Sequence, residues 1–194
     1  SNYDTGFVSG TWRHGYSDAL TLEGRADAST QLQTLWLGAA SALPGQFLGK
    51  FGWGGSQDDR QGNGGAWLLG LERIGLHSSL QVQVKEATRD FRNLALDETV
   101  LPTRREVAGN WTYTTSSAGT FGLGFASIDR YDFERVTTAS LNHTIRIGAR
   151  ASLILNATRA IVGASANFVG VTLIVPMGGY RIASVNAAVR EGQH

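Results

Sequence analysis

Polar and apolar residues alternate one by one along most of this chain. Leu20, Leu22, Gly24, Ala26 and Ala28 interleave with Thr21, Glu23, Arg25, Asp27 and Ser29. Successive side chains of an extended strand point to opposite faces, so this run predicts a strand with one apolar and one charged face. Leu80, Val82 and Val84 alternate with Ser79, Gln81, Gln83 and Lys85, and Val107, Trp111 and Tyr113 with Glu106, Asn110, Thr112 and Thr114. Leu141 and Ile145 share a face that opposes Ser140, Asn142 and Thr144. A helical period is hard to find, apart from a short helical turn expected within Phe91 to Glu98.

The punctuation between these runs is regular. Short turns are expected around Gly15, Pro44-Gly45, Gly75, Ser117-Ala118-Gly119, Gly148 and Gly178-Gly179, and four of the five gaps between these glycines are close to thirty residues. That length suits one transmembrane hairpin, about two ten-residue strands with their connections. The exception, Gly75 to Gly119, contains an insertion at Ala87 to Arg104. The opposite strand ends should carry connections at 29–31, 55–64, 87–104, 129–134 and 159–163, three of them long or strongly polar. Tight turns on one side and longer loops on the other are the plan of an outer-membrane barrel. The expected fold is therefore all-β: an antiparallel transmembrane β-barrel meander of about twelve strands, with residues 1–194 as a single barrel segment.

The competing reading is a soluble β-sandwich or lectin-like domain, which also alternates but turns its apolar face inward. Three features favour the barrel. Its strands are near ten residues rather than five or six. The polar faces are rich in uncharged Ser, Thr, Asn and Gln, as a wet lumen would be, and the hairpin unit recurs along most of the chain. Tyr3, Trp12, Tyr16, Trp53, Trp67, Trp111, Tyr113 and Tyr131 are expected mostly near strand ends, where interfacial aromatic girdles lie.

Composition narrows the function classes. Charged residues make up only 17% of the chain against 42% hydrophobic, below the roughly 25% charge of soluble domains. A net charge of +1, with Lys50 and Lys85 the only lysines, gives no basic patch for nucleic acid. No cysteine is present, so neither a disulfide framework nor a thiolate metal site is expected. No stretch approaches 18 continuous apolar residues, so any membrane span is made by strands. Ser1-Asn2-Tyr3-Asp4 is not a signal peptide, and an exported protein without one is expected to have been cut from a longer chain.

Catalytic and metal chemistry find little support. His14, His77, His143 and His194 stand at no metal-ligand spacing, and His143 falls on the apolar side of its strand. Gly52 to Gly55 and Gly62 to Gly65 open into no Gly-Lys-Ser/Thr phosphate cradle, and Gly163-Ala-Ser-Ala-Asn167 lacks the last glycine of a nucleophile elbow. Asp58, Asp59, Asp129 and Asp132 read as solvated loop acids. Asn110-Trp-Thr112, Asn142-His-Thr144 and Asn156-Ala-Thr158 match a glycosylation acceptor pattern that alternation generates by itself. The functional expectation falls on the charged faces. An Arg or Lys on a lipid face at mid-bilayer costs about 2–4 kcal/mol, so Glu23, Arg25, Asp27, Gln81, Gln83 and Lys85 should line the interior, as pore wall rather than as catalysts. No catalytic residue, metal or cofactor is expected.

The segment Trp12-Arg-His-Gly-Tyr-Ser-Asp-Ala-Leu-Thr-Leu-Glu-Gly-Arg-Ala-Asp-Ala28 resembles a stretch of fimbrial outer-membrane usher proteins that follows their plug domain. Leu35 to Trp53 resembles the next hairpin of that family. Gly122-Leu-Gly-Phe-Ala126 with Arg135 to Leu141, and Val169-Gly-Val-Thr-Leu-Ile-Val-Pro-Met-Gly178, also read like usher barrel strands. The resemblance covers nearly the whole chain. It implies a part of the outer-membrane pore of the chaperone–usher pathway, which receives pilus subunits from periplasmic chaperone–subunit complexes and exports the growing fibre without ATP or metal. The family barrel has about two dozen strands, so this chain is expected to be a fragment of it, without the plug or the domains that bind chaperone–subunit complexes. Two rivals remain. A complete small porin would pair Thr5 to Arg13 with Tyr180 to Arg190, whereas an open usher segment leaves both edges without neighbours. An outer-membrane barrel hydrolase would need a Ser/His or Asp/His group converging at one end.

Overall fold

The computed structural model of the chain describes residues 6–93, 101–148, 151–163, 166–178 and 181–192. It consists of twelve strands: β1 (Phe7–Ser17), β2 (Leu20–Ser29), β3 (Leu32–Leu43), β4 (Phe47–Asp58), β5 (Gly62–Ile74), β6 (Ser78–Ala87), β7 (Thr103–Thr115), β8 (Gly119–Arg130), β9 (Val136–Ile147), β10 (Ala151–Val162), β11 (Ala166–Gly178) and β12 (Arg181–Gly192). They form one sheet in the order β1 to β12, each strand beside its sequence neighbours, with antiparallel pairing. No helix occurs among the described residues, and Phe91 to Asn93, the described part of the expected helical turn, has no regular structure. The strand order of the sheet begins at β1 and ends at β12. Twelve residues at about 3.3 Å each reach about 40 Å, enough to cross a hydrocarbon core of about 30 Å when tilted.

Local chemistry ends the strands. Ser17 Oγ accepts hydrogen bonds from the Ala19 and Leu20 amides at 3.3 and 3.1 Å, so the first turn is Asp18-Ala19 rather than Gly15. Gly15 lies inside β1, beside a register shift between Gly15 and Ser17. At the β3–β4 turn Gly45 and Gln46 both take left-handed φ angles, 77° and 65°, the second a strained conformation for a residue with a Cβ. Thr115 Oγ1 accepts from the Ala118 amide at 2.9 Å and sets up the β7–β8 turn.

The loop expected at 55–64 contracts to Asp59–Gln61. Asp58 Oδ1 accepts from the Arg60 and Gln61 amides at 2.8 and 2.9 Å, and the glycines on either side become paired strand, with Gly55 opposite Gly65 and Ser56 opposite Gly64. The connections at 30–31 and 163–165 are equally short. The 88–102 and 131–135 connections are longer. Of the three connections expected to be long or strongly polar, the one at 55–64 is short, the one at 129–134 spans 131–135, and the insertion after Ala87 stays long.

Register carries the two faces across the sheet. Through β1 to β5, Ser9, Asp27, Thr34, Ser56 and Gly64 form one row; Thr11, Arg25, Trp36, Gly54 and Ala66 the next; Arg13, Glu23, Gly38, Gly52 and Leu68 a third. The other face reads Trp12, Gly24, Leu37, Trp53 and Trp67, then His14, Leu22, Ala39, Phe51 and Leu69. In β9 to β12 the polar face presents Asn142, Asn156, Thr144, Thr172 and Asn186, and the apolar face Ile145, Leu153, Leu173 and Val185. Trp12, Trp53 and Trp67 sit in mid-strand rather than at the ends expected for a girdle, whereas Tyr16 and Tyr113 do lie close to turns; Tyr3 lies outside the described residues.

Packing separates the described chain into two compact units, Ser1–Arg73 with Val82–Val107 and Ile128–Glu134, and Ile74–Gln81 with Ala108–Ser127 and Arg135–His194. The buried apolar residues among those described are Ala66, Ala87 and Phe91, all in the first unit. Leu35, Leu37, Phe51, Trp53 and Leu69 remain 46–50% exposed. A face of that kind is expensive in water and matched to hydrocarbon.

Candidate functional site: the polar face and its recess

The densest polar cluster ties three strands together around Asp27. Its carboxylate accepts from Ser9 Oγ on β1, from Arg25 Nε at 2.9 and 3.0 Å on its own strand, and from Thr34 Oγ1 at 3.2 Å on β3. Arg25 and Asp27 are two residues apart and so share a face, and the register sets Ser9 and Thr34 directly beside Asp27. Asp27 is 6% exposed; a carboxylate withdrawn this far from solvent needs such donors. A second ion pair, Lys50 Nζ to Glu72 at 2.6 Å, lies diagonally across β4 and β5 on the same face.

Beside Arg25, the Trp36 indole lies flat over β4. This is possible only because Gly52 and Gly54 lack side chains: a Cβ at Gly52 would stand 2.5 Å from Trp36 Cζ2, and one at Gly54 closer still to the ring. The start of the 88–102 connection folds back over this face. Thr88 exchanges hydrogen bonds with Gly65, amide to carbonyl at 2.8 Å and Oγ1 from the Gly65 amide at 2.9 Å. The Arg92 amide donates to Ser56 Oγ at 2.9 Å, and Arg92 Nη1 staples the Arg89 and Phe91 carbonyls, both at 2.8 Å. Phe91, 6% exposed, is thereby packed with Ala66, Ala87 and Trp36. The backbone of Phe91 crosses so close to Gly64 that no Cβ fits there. Tyr131 secures the root of the loop by donating its hydroxyl to the Ala87 carbonyl at 2.8 Å.

Between this fold-back and the wall lies a recess of about 280 Å³, open on one side and lined by Arg25, Asp27, Trp36, Leu68, Lys85 and Phe91. Three of the six residues singled out from the sequence, Arg25, Asp27 and Lys85, thus meet at one place. Glu23 sits one step along β2, against Gly38. Gln83 is half-buried on the face of Lys85, and Gln81, exposed, continues that row within the second unit. There Ser79 Oγ and Thr112 Oγ1, 2.6 Å apart, join the polar faces of β6 and β7. Sequence reading missed Trp36, the Lys50–Glu72 pair and the Phe91 anchor. The glycines at 52 and 54, two apart and hence on one face, were the visible sign that a large flat group covers that strand.

The histidines do not converge. His14 stacks on Trp12 with ring centroids 5.9 Å apart, and the His77 carbonyl accepts from the Thr114 amide at 2.7 Å. His143 stacks on Phe121 at 4.0 Å on the apolar face, with Nε2 2.8 Å from the Ala118 carbonyl. His194 lies outside the described residues. Among the described residues no three His, Asp or Glu side chains gather as a metal site.

No protein-family model matches this sequence. No curated protein matches it either. Among solved structures it is similar to the translocation pore of the P pilus usher PapC, with a TM-score of 0.67 at 16% sequence identity, over 95% of this chain and 42% of that one. At such identity the likeness is one of fold: this chain folds as a twelve-stranded antiparallel segment similar to about two-fifths of an usher translocation pore.

Proposed function

We infer that this chain is part of the wall of an outer-membrane usher pore, through which pilus subunits delivered by periplasmic chaperones leave as an assembling fibre. The observation that carries the reading is a two-faced meander whose twelve strands match the fold of an usher pore along 95% of this chain but only 42% of the pore, with β1 and β12 as the first and last strands of the sheet. Edge strands with exposed Val8, Tyr16, Val185 and Val189 call for neighbouring strands, since open edges are not tolerated in hydrocarbon. Further strands of the same polypeptide supply them in this reading. Glu23, Arg25, Gln81, Gln83 and Lys85 then face the conduit as wall, with Asp27 buried in the same face, and export rests on passage and subunit exchange rather than on catalysis, nucleotide or metal.

The test is the intact mass of the native polypeptide carrying this sequence, measured from purified outer membranes. A chain several times longer than this one, together with restored surface fibres when its gene complements an usher deletion, is the expected result. A mature chain near 20.8 kDa would overturn the reading in favour of a small porin.

A further inference from the structure

The recess in the first unit has the chemistry of a ligand site, and its residues stand independently of what the conduit carries. Its apolar walls are Trp36, Leu68 and Phe91. Its charged groups are Arg25, Lys85 and Asp27: two cations and one anion, leaving one positive charge. The negative charge is already engaged, because both Asp27 oxygens accept from Arg25 Nε and one each from Ser9 and Thr34. Arg25 meets Asp27 through Nε alone, so its two terminal amino groups keep their donors, and its side chain is 55% exposed. Lys85 is half-buried in the lining, with no anionic partner among the described residues. Two cations with free donors beside an aromatic and aliphatic wall suit one carboxylate attached to an apolar body. The volume, about 280 Å³, is at the low end of ligand pockets, which run from about 300 Å³ upward. That limits the body to a single ring or a short branched chain.

We propose that this recess binds a small aromatic or branched-alkyl monocarboxylate, with the apolar body against Trp36, Leu68 and Phe91 and the carboxylate shared by Arg25 and Lys85. Gly52 and Gly54 let the indole lie flat against the wall, and the Thr88, Arg92 and Tyr131 hydrogen bonds hold Phe91 in place.

Trp36 stands apart from the other tryptophans of this sequence, which makes it the reporter. Trp36 stands on the polar face, whereas Trp12, Trp53, Trp67 and Trp111 belong to the apolar face. The full-length native protein, labelled with 5-fluorotryptophan and held in lipid nanodiscs, is titrated with 4-phenylbutyrate, and Trp36→Phe identifies the Trp36 fluorine signal. A saturable shift of that signal alone is expected, with dissociation constants about tenfold or more weaker for the uncharged 4-phenylbutanol and for acetate. Lys85→Gln, which leaves the Asp27 cluster intact, should weaken binding by a similar factor, and Lys85→Arg should restore it. The proposal is overturned if the Trp36 signal shows no saturable shift or if Lys85→Gln binds as tightly as the native protein. Parallel movement of all the tryptophan signals, the mark of partition into lipid, overturns it as well.

Discussion

Gly54→Ala should destabilise this protein when Trp36 is present and stabilise it when Trp36 is gone. Neither Gly52 nor Gly54 has a positive φ, so the backbone accepts alanine at both, and what forbids a side chain is the indole lying across β4. The new Cβ at Gly54 would lie nearer the Trp36 ring than the 2.5 Å found for Gly52, where carbon atoms settle at about 3.5–4.0 Å. The ring must therefore lift by about 1 Å or more, losing its contact with the strand and pressing on Phe91, which shares its cluster. Overpacking of this kind costs about 1–3 kcal/mol. In a Trp36→Ala background the obstruction is absent and only the intrinsic term remains, which favours alanine over glycine within a strand by about 0.5–1 kcal/mol. The assay is urea unfolding of the full-length barrel in lipid nanodiscs, followed by loss of the compact band on unheated gels. With slopes of about 1–3 kcal/mol per molar urea, the midpoint should fall by about 1 M for the single substitution and rise by a few tenths on the Trp36→Ala background. A shift of the same sign in both backgrounds would falsify the steric account.

Three other outcomes follow from the geometry. With any cysteine that the full-length protein carries outside this sequence replaced by serine, single cysteines along β6 should react with a membrane-impermeant thiol reagent at Gln81, Gln83 and Lys85 and stay protected at Val82 and Val84; labelling without this period-two alternation would remove the two-faced wall. Asp27→Ala leaves Ser9, Thr34 and Arg25 without their shared acceptor and should cost about 2–4 kcal/mol, with amide exchange accelerating first in β1; exchange unchanged in β1 would show that the cluster does not hold that strand. Phe91→Ala removes the anchor of the fold-back and should cost about 3 kcal/mol or more, exposing Thr88 to Asn93 to limited proteolysis while the strands resist. Cleavage no faster than in the native protein would mean that the Thr88 and Arg92 hydrogen bonds hold the segment without it.

The strands and their faces could be read from the sequence alone, because a period of two is a property of extended backbone and needs no partner. Glu23, Arg25 and Asp27 alternate with Leu22, Gly24 and Ala26 in any extended chain, so their common face was legible before any pairing was known. Strand ends were less legible, because glycine speaks two ways. Gly15 and the glycines at 55, 62 and 64 read locally as turn or loop, yet they lie within strands. Gly52, Gly54 and Gly64 are required there by Trp36 and Phe91, which approach from other elements. Only the folded chain could decide that Asp27 closes β1, β2 and β3 together, that the insertion after Ala87 turns back over the wall, and that Arg25 and Lys85, sixty residues apart in sequence, share one recess. Those contacts depend on register and on how one loop packs, both products of the whole sheet, whereas alternation is fixed by the geometry of each residue with its immediate neighbours.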